Sequence, residues 1–238
     1  MLGCHAVTLI ALVIALAQQP APDRVVGLLT LPEVFGGRMC APFTPADVVL
    51  HSTPDDGTTV AVVHVDQTWS FAPHGGCEGL KVSVHRGSER EELPPLEYDY
   101  EMPAAIVVEQ RAGWFRVRTQ QGTAWIKASV SDRFMALADL FEEFIGVTAI
   151  DRNYTGRLMP SPGAPAGGAS ALRVSPSQPV QVLEIRESGG KAFVKVDVMS
   201  HSLCSAGANG PPEIVATGWL PLHSESGEPT IWFSSRGC

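Results

Sequence analysis

One three-strand pattern occurs twice in this chain of 238 residues, and it limits the fold more than any other feature. The first copy runs through Val107-Val108-Glu109-Gln110-Arg111, then Trp114-Phe115-Arg116-Val117, then Gly122-Thr123-Ala124-Trp125-Ile126. The second runs through Val182-Leu183-Glu184-Ile185-Arg186, then Phe193-Val194-Lys195-Val196, and ends at Gly218-Trp219-Leu220. Each copy is an apolar run, a turn, a second run headed by an aromatic residue, and a late tryptophan strand. Short β-branched and aromatic runs divided by glycine turns form antiparallel strands. The expected class is therefore all-β, with two small β-barrels in tandem, a scaffold that binds more often than it catalyses.

The N-terminus predicts export. Ala6 to Leu16 is apolar except for Thr8, and Ala15-Leu16-Ala17 offers the small residues that signal peptidase requires. A signal peptide over residues 1–17 is expected, with cleavage before Gln18. The apolar run is shorter than the roughly 20 residues a membrane span needs. Cys4 precedes that run, on the wrong side for lipid attachment after it. The expected product is periplasmic or extracellular, with no membrane anchor after cleavage. Its formal net charge of -8, with no basic cluster, excludes nucleic acid and anionic membrane faces as partners.

Cys40, Cys77, Cys204 and Cys238 remain after cleavage, an even number that reads as two disulfides in an exported chain. Of the three connectivities, Cys40 with Cys77 and Cys204 with Cys238 is expected, since each pair then lies within one half. Closing a loop of that size stabilises by about 3 to 4 kcal/mol per bridge on the chain-entropy account. Zinc is not expected, because no Cys-x-x-Cys pair and no histidine at ligand spacing is present. No cofactor is expected either.

The first half opens with Val25 to Leu29 and Asp47 to Leu50, turns at Pro54 to Gly57, and continues in a strand over Thr58 to Val65. Ser88 to Pro95, charged and containing proline, is expected to be a loop. Between the copies, Phe134, Leu137, Leu140, Phe141, Phe144 and Ile145 recur at spacings of three and four, which predicts an amphipathic helix. The domain expectation is thus a first β unit with an N-terminal extension over 18–130, a linking helix over 131–149 and a second β unit over 150–238. Gly156-Arg157-Leu158-Met159 echoes Val48-Val49-Leu50-His51. That echo makes Pro160 to Gly168 a hairpin loop rather than an interdomain linker.

At Gly113-Trp114-Phe115-Arg116-Val117 and Gly122-x-x-Trp125-Ile126 the chain resembles the bacterial SH3-type domain family. The second copy departs from it by carrying Phe193 where Trp114 stands and an insertion before Trp219. The resemblance covers about half the chain. It implies small five- or six-stranded barrels and, in many relatives, attachment to peptidoglycan or its stem peptides. Leu96-Glu97-Tyr98-Asp99-Tyr100 also looks like the aromatic and acidic motif of eukaryotic SH3 domains, although no acidic loop follows it.

The candidate ligand-binding aromatics are Tyr98, Tyr100, Trp114, Trp125 and Trp219, with core filling as the competing role for the tryptophans. No catalytic residue is expected. A cysteine held in a disulfide has no thiolate for nucleophilic attack, so His74-Gly75-Gly76-Cys77 is not read as a catalytic pair. Glu89, Glu91 and Glu92 are read as solvated rather than as paired acid and base. Asn153-Tyr154-Thr155 is a glycosylation acceptor only in a eukaryotic secretory host. The expected function is a non-catalytic exported module of the cell envelope that binds peptidoglycan, or an exported protein or peptide, or serves assembly. The alternative is an accessory to, or divergent member of, a cell-wall hydrolase system.

Overall fold

The computed structural model describes residues 23–30, 47–55, 57–67, 70–71, 77–78, 81–93, 96–99, 102–128, 134–143, 148–165, 172–205 and 210–233. The first half holds β1 (Gly27–Thr30), β2 (Val48–His51), β3 (Thr59–Gln67), β4 (Ser70–Phe71), β5 (Cys77–Glu78) and β6 (Lys81–Arg86). It continues with β7 (Glu89–Glu92), β8 (Leu96–Asp99), β9 (Met102–Arg111), β10 (Trp114–Thr119), β11 (Gly122–Lys127) and β12 (Phe134–Ala136), followed by a short helix α1 (Leu137–Glu143). The second half holds β13 (Thr148–Ile150), β14 (Gly156–Arg157), β15 (Arg173–Val174), β16 (Pro179–Ser188), β17 (Lys191–Met199), β18 (Ile214–Pro221) and β19 (Ile231–Phe233). The protein is all-β.

Both halves follow one path. The last strand of each half (β12, β19) pairs with the first (β1, β13), the first pairs with a long second strand (β9, β16), and two hairpins add the third and fourth. The tight turns are where the sequence puts them. Ala112 and Gly113 have φ of 42° and 85°, and Gly189 and Gly190 have 57° and 71°, the left-handed pair that a two-residue hairpin requires. The register repeats as well. Phe115 lies opposite Ile126 and Arg116 opposite Trp125, just as Val194 lies opposite Leu220 and Lys195 opposite Trp219. In each second strand one residue is extra, Val108 in one and Leu183 in the other, so a β-bulge sits at the same place.

The sheets do not close into barrels among the described residues. In the first half the free edge of β11 pairs with β2, and the sheet runs on through β3 and β6 to β7 instead of returning to β12. In the second half a single bridge from Met159 to Trp219 holds the corresponding position. Leu50 opposite Ile126 and His51 opposite Trp125 therefore match Met159 opposite Trp219, residue for residue with the sequence echo. The stretch after Met159 is the connection of the β14–β15 hairpin.

Two expectations are corrected. The helix does not begin near residue 131, because Phe134, Met135 and Ala136 pair with Leu29, Leu28 and Gly27 as a strand. Extended pairing satisfies their backbone and sets the Phe134 ring 5.4 Å from Phe115, so among the described residues the helix runs from Leu137 to Glu143, and Phe144 and Ile145 lie outside the described residues. Nor is Ser88 to Pro95 simply a loop. Gly87, at φ 62°, turns β6 into β7, and the charged residues Glu89, Arg90 and Glu92 lie on the outermost strand of the large sheet. Charge on an edge strand deters pairing with another chain. Glu91 points inward, is buried, and forms an ion pair at 3.5 Å with Arg86, whose Nη2 donates to Thr119 Oγ1 at 3.0 Å.

The core crosses the boundary between the halves. Leu29, Leu50, Val63, Val84, Phe115, Val117 and Ile126 form one buried cluster inside the first half. A second cluster joins Leu28, Ala104, Leu137, Leu140 and Phe141 to Ile150, Val180, Val194, Val196, Leu220 and Ile231. Consecutive residues Leu28 and Leu29 thus serve opposite faces of β1. This is why Val25 to Leu29 is continuously apolar rather than alternating, as strands buried on both faces are. Helix α1 contributes Leu137, Leu140 and Phe141 at the spacing of one helical face.

Polar contacts fasten the same junction. The Val25 N–H donates to the Gly227 carbonyl at 3.1 Å, and His223 Nε2 donates to the Val25 carbonyl at 2.7 Å. Gly227 has φ 87°, and a Cβ there would stand 2.4 Å from the Asp23 carbonyl oxygen, so the close approach requires glycine. Arg118 pairs with Glu228 at 2.7 Å across the junction, and Arg116 holds Asp23 at 2.6 Å within the first half.

His223 makes this junction sensitive to pH. Burial is the main cause that lowers its pKa, aided by Arg24, while the Val25 hydrogen bond and Glu228 act the other way. Histidine in the unfolded chain titrates near 6.5. The unfolded state therefore takes up the proton first, and stability falls as pH drops below about 6.5 until the folded pKa is passed. The expected result is that His223→Gln, which retains an N–H donor, shows a flatter dependence of melting temperature on pH between about 8 and 5. Parallel slopes for the two proteins would reject the assignment.

Candidate functional site

Where the halves meet, a groove with a volume of about 440 Å³ is open to solvent. That lies within the usual range for small-ligand pockets. Val25 from the N-terminal segment, Leu96 from β8 and Ile106 from β9 line one side. Ile150 at the end of β13, Pro229, and Trp232 and Phe233 on β19 line the other. Strand pairing sets these residues in place: Ala149 lies opposite Trp232 and Ile150 opposite Ile231, so the terminal strand is held against the first strand of its half. Trp232 is half-buried and makes an edge contact with Phe141 of α1, with ring centroids 6.4 Å apart.

Polar groups enter the groove from one turn and from Glu228. The Tyr154 N–H donates to the Asp151 carbonyl at 3.0 Å, and the Asn153 N–H donates to Asp151 Oδ1 at 2.8 Å. This fixes Asp151 and displays Arg152 and Asn153, both exposed, at the groove. Among the described residues, Arg152 has no ion-pair partner. Glu228, the other acid at the groove, is already held by Arg118. Behind the turn, burial raises the pKa of Tyr154, which therefore stays neutral.

The tryptophans expected to bind ligand stand elsewhere. Trp114, Trp125 and Trp219 are 7%, 6% and 5% exposed, too covered to stack on a ligand as they stand. Yet none belongs to either apolar cluster. They point from the opposite face of their sheets and are roofed by cations. The Arg111 guanidinium lies 5.4 Å from the Trp125 ring and that of Arg186 lies 5.2 Å from Trp219. Arg111 is paired with Glu109, and Arg186 with Glu184. This Glu-x-Arg over tryptophan arrangement is built twice at equivalent positions, and its signal was already present in the two copies of the sequence pattern. Trp114 is covered instead by Lys127, with Nζ 5.2 Å from its ring, and by His51 at 5.2 Å between centroids.

Removing one roof tests this. Arg111→Ala is expected to cost about 1 kcal/mol and to raise the accessibility of Trp125 to an aqueous fluorescence quencher. Unchanged quenching would show that the guanidinium does not shield the ring.

Tyr98 lies in β8 with its side chain outside the described set, and Tyr100, Cys40, Cys238, His74 and residues 1–17 are outside the described residues. Cys204 is half of a disulfide. His201 Nε2 donates to the Gly210 carbonyl at 3.0 Å and, with His223 on Val25, has a backbone partner. His64 pairs with Asp47 at 2.5 Å, and His85 meets Ser83 at 2.9 Å, with the two half-buried imidazole rings 4.4 Å apart across β3 and β6. Among the described residues no three His, Cys, Asp or Glu side chains are grouped to hold a metal, and no helix is long and apolar enough to cross a membrane.

Trp232 and Arg152 are the site residues that sequence reading missed. Trp232 had a visible signal in the apolar run Ile231-Trp232-Phe233, outside the repeated pattern. Arg152 had none, since only the fold brings its turn beside β8 and β9. Comparison with known proteins gives no match: no family model, no curated protein and no solved structure is similar to the chain.

Proposed function

We propose that this protein is a non-catalytic, exported binding module of the cell envelope that engages peptidoglycan, or an exported protein or peptide, through the groove between its halves. The observation that carries the reading is the groove itself, apolar along its walls and polar at one turn, formed where two similar sheets share a core. The common strand path, with the last strand beside the first, supports the SH3-type reading of each half. The signal-like N-terminus and the disulfide at Cys204 support export.

Co-sedimentation of the mature protein with purified peptidoglycan, alongside capture from envelope extract, tests the proposal. Retention that is lost on Trp232→Ala, in protein that stays folded by circular dichroism though less stable for loss of the contact with Phe141, is expected. Release of soluble wall fragments by the protein alone would instead favour a hydrolase. For export, non-reducing peptide mapping is expected to give Cys40 joined to Cys77 and Cys204 joined to Cys238. Bridges that join the halves would refute that pairing.

A further inference from the structure

We propose that the groove receives the free carboxyl end of a short apolar peptide, with Arg152 gripping the terminal carboxylate. This rests on the reading of the groove as the binding site and names the chemistry it selects. The walls provided by Leu96, Ile106, Ile150, Trp232 and Phe233 exclude a strongly hydrated ligand, since each polar group placed against them loses water without compensation. The turn at Asp151 to Asn153 differs from these walls. Arg152 offers a planar fork of donors suited to a carboxylate, and the Asn153 side chain adjoins it in the same turn.

Arg152 is the cation that an anion entering the groove can meet at this turn. The Glu228 carboxylate is neutralised by Arg118, whereas Arg152 has no paired carboxylate among the described residues. Asp151 is held by the Asn153 N–H through Oδ1 only, leaving Oδ2 to accept a backbone N–H from the ligand. A chain terminus brings both groups together, a carboxylate and the amide N–H just before it. An internal peptide segment has no such carboxylate, and an aliphatic chain has no amide to give Asp151. The volume of about 440 Å³ suits a few small residues rather than a folded partner.

The test uses the full mature chain, labelled with nitrogen-15, and acetyl-Ala-Val-Ala as the probe. The Trp232 indole N–H resonance, identified by its absence in Trp232→Phe, reports occupancy of the groove. The acid form of the peptide is expected to shift that resonance, and the C-terminal amide to bind at least about tenfold more weakly, as loss of a charge-assisted pair implies. Arg152→Met is expected to lose the same factor for the acid and to leave the amide unaffected. Its melting temperature should be unchanged, because the side chain is exposed. Equal binding of acid and amide, or full affinity in Arg152→Met, would overturn the carboxylate assignment. So would a failure of either peptide to move the resonance. If peptidoglycan retention persists in those cases, the binding-module reading stands and only the named chemistry falls.

Discussion

Leu140→Ala is expected to destabilise the whole protein by about 2 to 5 kcal/mol, the range for a buried leucine truncated in a packed core. The side chain is fully buried within the cluster that contains residues of both halves. The informative outcome is that indole fluorescence and far-ultraviolet circular dichroism shift together in a single denaturant transition. Two separated transitions, with only one displaced, would show that the halves have independent cores. By the same argument, residues 148–238 expressed alone lack Leu28, Leu137, Leu140 and Phe141 and are expected to melt without cooperativity.

Trp125→Ala and Trp219→Ala should each cost about 3 to 5 kcal/mol. Both rings are nearly fully covered although they lie across the sheet from the apolar clusters. Truncating either one also leaves an arginine without the surface it rests on. Chemical denaturation of each variant against wild type measures the loss. A change below about 1 kcal/mol in both, typical of exposed sites, would mean that the rings are superficial and available to ligand.

The local half of this fold was legible in the sequence and the long-range half was not. Ala112-Gly113 and Gly122 set hairpins whose chemistry is complete within a few residues, so the three central strands of each half followed directly. The match of Val48 to His51 with Gly156 to Met159 was also readable, because both segments carry a leucine that must land beside the fourth strand. Phe134 misled for a physical reason: its spacing to Leu137 and Phe141 satisfies a helical face, yet β1 offers an unpaired edge more than 100 residues earlier in the chain. Tertiary pairing overrode the local period. The groove escaped notice on the same grounds, since Leu96, Arg152 and Trp232 meet only after β19 returns to β13.

The two excursions between first and second strands differ greatly in length, residues 31–101 in one half and 151–178 in the other. Even so, Leu50 and Leu158 are both buried, and their neighbours His51 and Met159 meet equivalent tryptophans. Loop-closure entropy rises only logarithmically, by about 0.6 kcal/mol for each doubling of length. Lengthening the shorter excursion to match the longer would thus cost on the order of 1 kcal/mol. Such a scaffold is evolvable at one defined place. New strands, and with them new surface, can be spliced into the first crossover while the docking leucine keeps the remainder of the architecture in register.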